Sequence, residues 1–476
     1  MTRTKIVCTI GPASRSPQIL EQLIQSGMNV ARLNFSHGRK SDHEEVIVNI
    51  RSIAKRLGRP VAILQDLAGP KIRIGRIRKG LITLESGNIF ILTSRNVPGD
   101  ESEVSINYPN LPKEIKPGDK LLLSDGALEL EVIETNEQDI KCRVIIGGPL
   151  SSNKGINLPA GSITAPILTN KDKEDLSFGI EHEVDYVALS FVRNANDIRD
   201  VKQFMNELGN GDTLIIAKIE KHEALDNIEE IIQVADGLMV ARGDLGVEIP
   251  IEKVPLVQKM LIEKSNRAGK PAITATQMLR SMVDSPRPTR AEVTDVANAV
   301  LDGTDALMLS EETAIGNYPV QSVNMMARIA GDAESGFPFD IWAQRFISKD
   351  LKSLPEAVSL TACNLAEHIN AESIITFTQS GTTARLVSKY RPRSSILAVT
   401  PLEKTYRRLA LIWGVTPIIT NNVTSTDEMI DRIITDALLS GFVHHGEKVV
   451  ITAGIPVGIS GKTNLIKVEV LNNRAI

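Results

Sequence analysis

Apolar runs of strand length recur along the first two thirds of the chain, at residues 5–10, 29–34, 61–66, 185–191, 213–218, 237–241, 271–276 and 305–310, with amphipathic helical spacing between them. Uninterrupted apolar strands alternating with helices predict a parallel sheet covered on its outer face, and eight such units close a (β/α)8 TIM barrel. The spacing breaks once. Between the third and fourth runs lies a long segment that opens at Gly69-Pro70 and carries strand-like patterns at Ile82-Thr-Leu84, Ile89-Phe-Ile-Leu92, Lys120-Leu-Leu-Leu123 and Leu128-Glu-Leu-Glu-Val-Ile133. It predicts an all-β domain inserted into a barrel loop, where it can serve as a lid over the barrel mouth. After residues 331–339 the pattern restarts, helix-like at 355–370 and 382–389 and strand-like at 373–378, 396–400 and 449–452, which predicts a third, α/β domain. The expected limits are 1–69 and 168–336 for the barrel, 70–167 for the insertion and 345–476 for the third domain.

Charge appears abruptly where the barrel strands finish. Side chains alternate along a strand, so Lys218 and Glu220 project to the same side, and the next strand leads to Asp244. Two carboxylates suited to a hard divalent metal would then lie beside a cation for an anionic substrate, a combination that points to phosphoryl transfer. The other strand ends agree: Arg32, Asn34, Ser36 and His37 after the second, Asp66 and then Arg73 after the third, Thr276 and Gln277 after the seventh, Ser310, Glu311 and Glu312 after the eighth. Polar loop residues are individually unremarkable, but active sites of such barrels lie at the C-terminal strand ends, where these cluster. Arg32 and Arg73 offer planar forks matched to phosphate, and Lys218 a point charge. The glycines of Arg242-Gly-Asp-Leu-Gly246 read as a turn, before a helix near Ile251, whose N–H groups can approach an anion closely.

Composition narrows the field further. A net charge of -4 and a pI near 6.1 leave no footprint for nucleic acid or an anionic membrane. The N-terminal residues lack a signal-peptide core and no apolar run approaches membrane-spanning length, so the expected location is the cytoplasm. Cys8, Cys142 and Cys363 have no ligand or disulfide spacing and are expected to be buried thiols. Residues 453–463 resemble a phosphate-binding P-loop only superficially, because Pro456 stands where its first glycine is required. The histidines show neither metal nor triad spacing, and Thr289-Arg-Ala-Glu292 reads as a helix capping box.

These residues stand within strings that resemble the pyruvate kinase family along essentially the whole chain: Thr4-Lys-Ile-Val-Cys-Thr-Ile-Gly-Pro12, Asn29-Val-Ala-Arg-Leu-Asn-Phe-Ser-His-Gly38, Lys154-Gly-Ile-Asn-Leu-Pro159, Ile216-Ala-Lys-Ile-Glu220, Met239-Val-Ala-Arg-Gly-Asp-Leu-Gly246, Ala275-Thr-Gln-Met-Leu279 and Met308-Leu-Ser-Glu-Glu-Thr313. The resemblance implies phosphoryl transfer from phosphoenolpyruvate to ADP, giving pyruvate and ATP, in a homotetramer. Carried across by position, Arg32 binds the substrate phosphate and Lys218 stabilises the transferring group. Glu220 and Asp244 hold Mg²⁺ or Mn²⁺, and Gly243, Asp244 and Thr276 receive the substrate carboxylate. Asn34, Ser36, His37, Arg73 and Lys154 fall on the nucleotide side.

This chain departs from many family members after the third strand. Where those carry Asp-Thr-Lys and then Gly-Pro-Glu-Ile-Arg and need K⁺, it has Asp66-Leu-Ala-Gly-Pro-Lys-Ile-Arg73. Lys71 supplies a fixed ammonium in place of the glutamate, so K⁺ is expected not to be required, although Asn34, Ser36 and Asp66 remain as ligands for it. In the third domain, Thr378, Ser380, Gly381, Thr382 and Thr383 resemble the family's phosphate-binding effector loop, with Lys462 near a glycine-rich closing loop at 454–461. A sugar monophosphate, a sugar bisphosphate or AMP would each suit it as activator. A metal-dependent lyase or aldolase would use the same strand-end charges, but it has no use for the nucleotide side. A non-catalytic effector-binding relative is disfavoured by the intact Lys218, Glu220, Asp244 and Thr276.

Overall fold

Strands such as Lys5–Ile10 and Ala62–Asp66 are buried along their whole length, as uninterrupted apolar runs require when both faces are covered. In the computed structural model, which describes residues 2–158, 164–209, 211–345, 353–458 and 461–471, eight parallel strands close a barrel. They are Lys5–Ile10, Met28–Asn34, Ala62–Asp66, Tyr186–Leu189, Leu214–Ile219, Gly237–Ala241, Ala272–Ala275 and Ala306–Leu309. The first pairs with the eighth, Lys5 opposite Ala306, which completes the ring. The expected strands are all present.

Alternation sorts each strand into an outer and an inner set. Ile6, Cys8 and Ile10 face the helical jacket, while Val7 joins Val30, Leu64, Ala188, Ile216 and Met239 in the barrel interior. Two residues further along those strands come Thr9, Arg32, Asp66, Ser190 and Lys218. The inward face therefore turns from apolar to polar in its last layer, at the C-terminal mouth.

The insertion folds as short strands in a six-stranded sheet and a two-stranded sheet around its own apolar core, which includes Phe90, Leu121 and Leu130. Its inner edge returns to the barrel mouth, where Arg73 pairs with Gly155 and Ile74 N donates to Lys154 O at 2.9 Å. The third domain carries a five-stranded sheet, parallel except for Leu465–Val470. Two of its strands, Val415–Ile419 and Leu465–Val470, and the helix Thr426–Leu439 add to the sequence expectation. Cys8, Cys142 and Cys363 are buried and free, and Thr289 with Glu292 forms the expected capping box. Among the described residues no helix is long and apolar enough to cross a membrane.

The N-terminal end of the barrel is closed by the third domain. A single turn, Leu409–Leu411, brings Ala410 and Leu411 into the same cluster as the interior residues Val7, Val30 and Leu64. Around it, Tyr186 Oη donates to Arg408 O at 2.7 Å, Lys5 Nζ to Val415 O at 2.8 Å, and Arg407 Nε meets Asp185 Oδ1 at 2.9 Å. Arg391, with 1 % of its side chain exposed, reaches Asp305 at 3.0 Å and lies over the ring of Trp413. Removing the plug should loosen this contact. Leu411→Ala deletes a fully buried side chain, at a cost of about 2–5 kcal/mol. It is expected to lower the thermal midpoint by several degrees, whereas Val48→Ala, at a position 58 % exposed, is expected to leave it unchanged. Equal midpoints for both variants would remove Leu411 from the interface.

Candidate active site

The polar layer at the mouth is a chain of alternating charges. Arg32 Nε donates to Asp66 Oδ2 at 2.6 Å, Lys218 Nζ donates to Asp66 Oδ1 at 3.2 Å, and Lys218 Nζ lies 2.9 Å from Glu220 Oε1. Two hydroxyls complete it. Thr9 Oγ1 accepts from Arg32 Nη1 at 2.8 Å and donates to Leu309 O at 2.9 Å; Ser190 Oγ accepts from Lys218 Nζ at 2.7 Å and donates to Leu67 O at 2.7 Å. Each cation thus has one carboxylate in common and one neutral hydroxyl of its own.

Burial would by itself push the Asp66 carboxyl up, but Lys218 and Arg32 together outweigh it and hold the group below the ordinary carboxylate range. Burial works against the Lys218 ammonium too, yet Asp66 and Glu220 more than offset it, and the group stays protonated beyond its usual range. The Asp66 interaction therefore contributes stability above the ordinary carboxylate pKa and loses it as pH falls through the lowered value. Glu220 behaves differently: burial raises it, Lys218 opposes this, and the negative charge of Asp244 raises it further. Two hard oxygen donors that repel each other fit a divalent cation, which would relieve that repulsion.

Asp244 arrives on a helix. The Arg242–Glu248 segment, expected as a glycine-rich turn, is helical. Its end is tied down by Lys221 Nζ, 2.7 Å from Glu248 Oε1, and by the His222 ring, 3.3 Å from Glu248 Oε2. His222, Glu223 and Glu248 bring their ligating atoms within 4.8 Å of one another, a spacing the sequence reading did not anticipate. The Lys221–Glu248 ion pair braces this helix against the end of the strand carrying Lys218. At the helix start, Gly243 N donates to Thr276 Oγ1 at 2.8 Å, and Thr276 takes a left-handed φ of 70°. Arg242 turns away from the mouth, to Asp295 at 2.6 Å and the Thr276 carbonyl at 2.8 Å.

Other predicted residues sort by distance from this centre. Asn34 Oδ1 accepts from Ser36 N at 3.1 Å and shapes a turn that leaves Ser36 and His37 exposed. Arg73 donates to Asn153 O at 3.0 Å, beside Lys154, so the two lie together on the inner edge of the insertion. Lys71 Nζ lies 3.9 Å from Asp244 Oδ1, beside a carboxylate expected to bind the metal. The eighth strand contributes structure: Glu312 accepts from Ser310 N at 2.7 Å and Leu279 N at 3.0 Å, while Glu311 pairs with Arg280 at 2.8 Å. In the third domain, Thr378 Oγ1 accepts from Gly381 N at 2.9 Å, Ser380 and Thr382 hydroxyls lie 3.0 Å apart, and Thr383 bonds Thr463 at 2.8 Å. Gly454, Gly458, Gly461 and Lys462 face this loop across a cleft; residues 459 and 460 of the expected closing loop lie outside the described residues.

Residues 1–323 match the family described as pyruvate kinase, barrel domain, and residues 356–469 match pyruvate kinase, alpha/beta domain. The chain belongs to the pyruvate kinase family. A pyruvate kinase of Clostridium acetobutylicum is 46% identical over 99% of this chain and 100% of its own length. Pyruvate kinase 2 of a Synechocystis strain is 50% identical over 98% of this chain and 79% of its own length. Among solved structures, a pyruvate kinase from Cryptosporidium parvum superposes with a TM-score of 0.92 at 39% identity, covering 99% of this chain and 96% of that one. The activity is accordingly that of a glycolytic phosphotransferase acting on phosphoenolpyruvate and ADP, and family membership implies a divalent cation such as Mg²⁺. Thr9, Ser190 and Lys221 were not singled out from sequence. The first two were accessible through the two-residue period, since Thr9 follows Val7 and Ser190 follows Ala188 on the inward face.

Proposed function

We propose that Lys218 stabilises the phosphoryl group as it passes from phosphoenolpyruvate to ADP, with Arg32 binding the substrate phosphate. The observation that carries this reading is the charge chain at the mouth, in which Lys218 lies 2.9 Å from Glu220 and shares Asp66 with Arg32. Glu220 and Asp244 would hold Mg²⁺ or Mn²⁺, which when bound neutralises phosphate charge and polarises oxygen. Gly243, Asp244 and Thr276 receive the carboxylate, and Thr276 lies near the enolate that takes the proton. On the nucleotide side are Asn34, Ser36, His37, Arg73 and Lys154. In the reaction an ADP β-phosphate oxygen forms the new bond to phosphorus, the bond to the enolate oxygen breaks, and the enolate carbon takes a proton.

The units that carry this out are the barrel at 1–69 and 168–336, the insertion at 70–167 as a closing lid, and the domain at 345–476 as the binding site of a phosphorylated activator. We assign a cytoplasmic homotetramer. Exposed apolar side chains after the Asp244 helix, Ile251 at 75% and Leu256 at 70%, suit a contact between subunits.

Replacing Lys218 tests the central role. Lys218→Met should cut turnover by about 10² to 10³ while changing substrate affinity far less, because the cation helps most where charge redistributes. Retention of more than about a tenth of wild-type turnover in a coupled pyruvate assay, well short of that loss, would sink the assignment.

Potassium should be dispensable. Lys71 carries its ammonium at every turnover, 3.9 Å from Asp244, and so provides charge that a bound monovalent ion would otherwise contribute. Rates in tetramethylammonium chloride and in KCl at equal ionic strength should agree. A gain of tenfold with K⁺, about 1.4 kcal/mol of barrier, would show that Lys71 does not replace the ion.

Activation should be lost when the loop in the third domain is made acidic. Ser380→Asp with Thr382→Asp places negative charge beside Gly381, where a phosphate would otherwise meet hydroxyls and backbone donors. Basal activity is expected to persist while the response to sugar phosphates or AMP disappears; an intact response would move the effector site elsewhere.

A further inference from the structure

Lys218 is held by a complete set of acceptors. An ammonium has three N–H donors, and here they meet Ser190 Oγ at 2.7 Å, Glu220 Oε1 at 2.9 Å and Asp66 Oδ1 at 3.2 Å. The three acceptors are not equivalent. Asp66 is shared with Arg32, and Glu220 is one of the carboxylates suited to the metal, so both answer to charges that change when substrate and cation arrive. Ser190 is neutral, and only 2 % of it is exposed.

Its orientation is also fully determined. The ammonium can only donate and the Leu67 carbonyl can only accept, so the Ser190 proton must point at Leu67 O, 2.7 Å away, and its lone pair must face Lys218. Leu67 in turn donates its N–H to Ala188 O at 3.1 Å and begins the loop from which the inserted domain leaves the barrel. That loop packs directly on the Ser190 turn. At Gly69, with φ of 67°, an added Cβ would lie 2.8 Å from the Phe191 ring and 3.1 Å from Ser190 Cβ. Phe191, itself left-handed at φ 60°, donates its N–H to Glu220 Oε2 at 2.9 Å. One two-residue turn therefore orients both the lysine and the carboxylate, and it is braced by the hinge of the insertion.

We propose that Ser190 is a positioning residue for phosphoryl transfer, the fixed neutral support that aims the Lys218 ammonium and links its direction to the hinge of the inserted domain. The inference rests on the proposed role of Lys218. It requires that Ser190 act on turnover through that side chain and not through general folding.

A double-mutant cycle separates these possibilities, with steady-state kcat and KM for phosphoenolpyruvate measured in the full-length enzyme with Mg²⁺. Ser190→Ala is expected to lower kcat about ten- to a hundredfold, the scale of a misaimed catalytic group, while KM changes by less than about threefold. In a Lys218→Met background the same substitution should cost less than about twofold, because the group it positions is gone. If Ser190→Ala lowers the rate by the same factor in both backgrounds while the thermal midpoint of each variant stays near its parent's, its effect is on another group and the proposal is overturned; should Ser190→Ala fail to fold, Ser190→Cys, which keeps a side chain of similar size but a poorer acceptor, takes its place in the same cycle. Near-normal kcat for Ser190→Ala beside a crippled Lys218→Met overturns the positioning role alone. Near-normal kcat for Lys218→Met removes the reading of Lys218 on which the inference stands.

Discussion

Asp66 holds two cations inside the end of a protein barrel. Without it, Arg32 and Lys218 would point into the same small volume, each with 12% of its side chain exposed, and burying like charges together is strongly unfavourable. With it, the guanidinium and the ammonium take one carboxylate oxygen each. Glu220 supplies the second negative charge, so the four central groups are neutral as a set. A buried pair stabilises little against an apolar core, but removing one partner leaves an uncompensated charge. The two neutral hydroxyls, Thr9 on Arg32 and Ser190 on Lys218, add fixed acceptors without changing the charge.

Such a layer is possible only above a well-packed base. The lower barrel interior is apolar, from Val7 and Val30 to Ile216 and Met239, and it is sealed from below by Ala410 and Leu411 of the third domain. The same domain ties itself to the strand that ends at Ser190, through the Tyr186 hydroxyl and through Asp185. Asp185 also accepts from Ile63 N at 2.8 Å, at the start of the strand that ends at Asp66. The foot of the barrel is thus cross-braced on the strands whose far ends carry the charge chain. Rigid elements with short, buried connections are what hold reacting groups to the tolerances catalysis needs.

Most of this was legible in the order of residues because it follows from period. Buried parallel strands are apolar throughout, so their positions were apparent, and a charge at the end of such a strand has few places to go except the mouth. Legibility failed where local and tertiary preferences differ. Two glycines argue against a helix at Arg242–Glu248, yet the brace at Lys221 and His222 and the bond from Gly243 to Thr276 hold the segment helical. Pro417 argues against a strand at Val415–Ile419, which is tolerated because the strand lies at the edge of its sheet. Glu311 and Glu312 looked like site residues because sequence does not distinguish a carboxylate aimed into a cleft from one that pairs with a nearby arginine, as Glu311 does, or caps backbone N–H groups, as Glu312 does. Ser190 was passed over for the opposite reason: it falls inside the run read as the fourth strand, 185–191, as a small neutral residue, and only the inward parity set it apart.

The electrostatics of the mouth suggest why cation and substrate belong together in this family. Arg32, Lys218 and Lys71 oppose Asp66, Glu220 and Asp244, which leaves the resting site near neutrality. A divalent cation alone would leave the pocket with excess positive charge, and a phosphorylated carboxylate alone with excess negative charge, each in a region where water screens poorly. Bound as a pair they largely offset each other, and a cation on Glu220 would leave the Lys218 ammonium with two acceptors, Ser190 and Asp66. Lys71 fits the same logic from the other side of Asp244: a tethered ammonium costs no binding equilibrium, and it enters on the very loop whose hinge rests against Ser190 and Phe191. The ammonium beside Asp244 and the carbonyl that fixes the Ser190 hydroxyl therefore both belong to one short stretch of chain, Leu67 to Lys71, at the point where the inserted domain leaves the barrel.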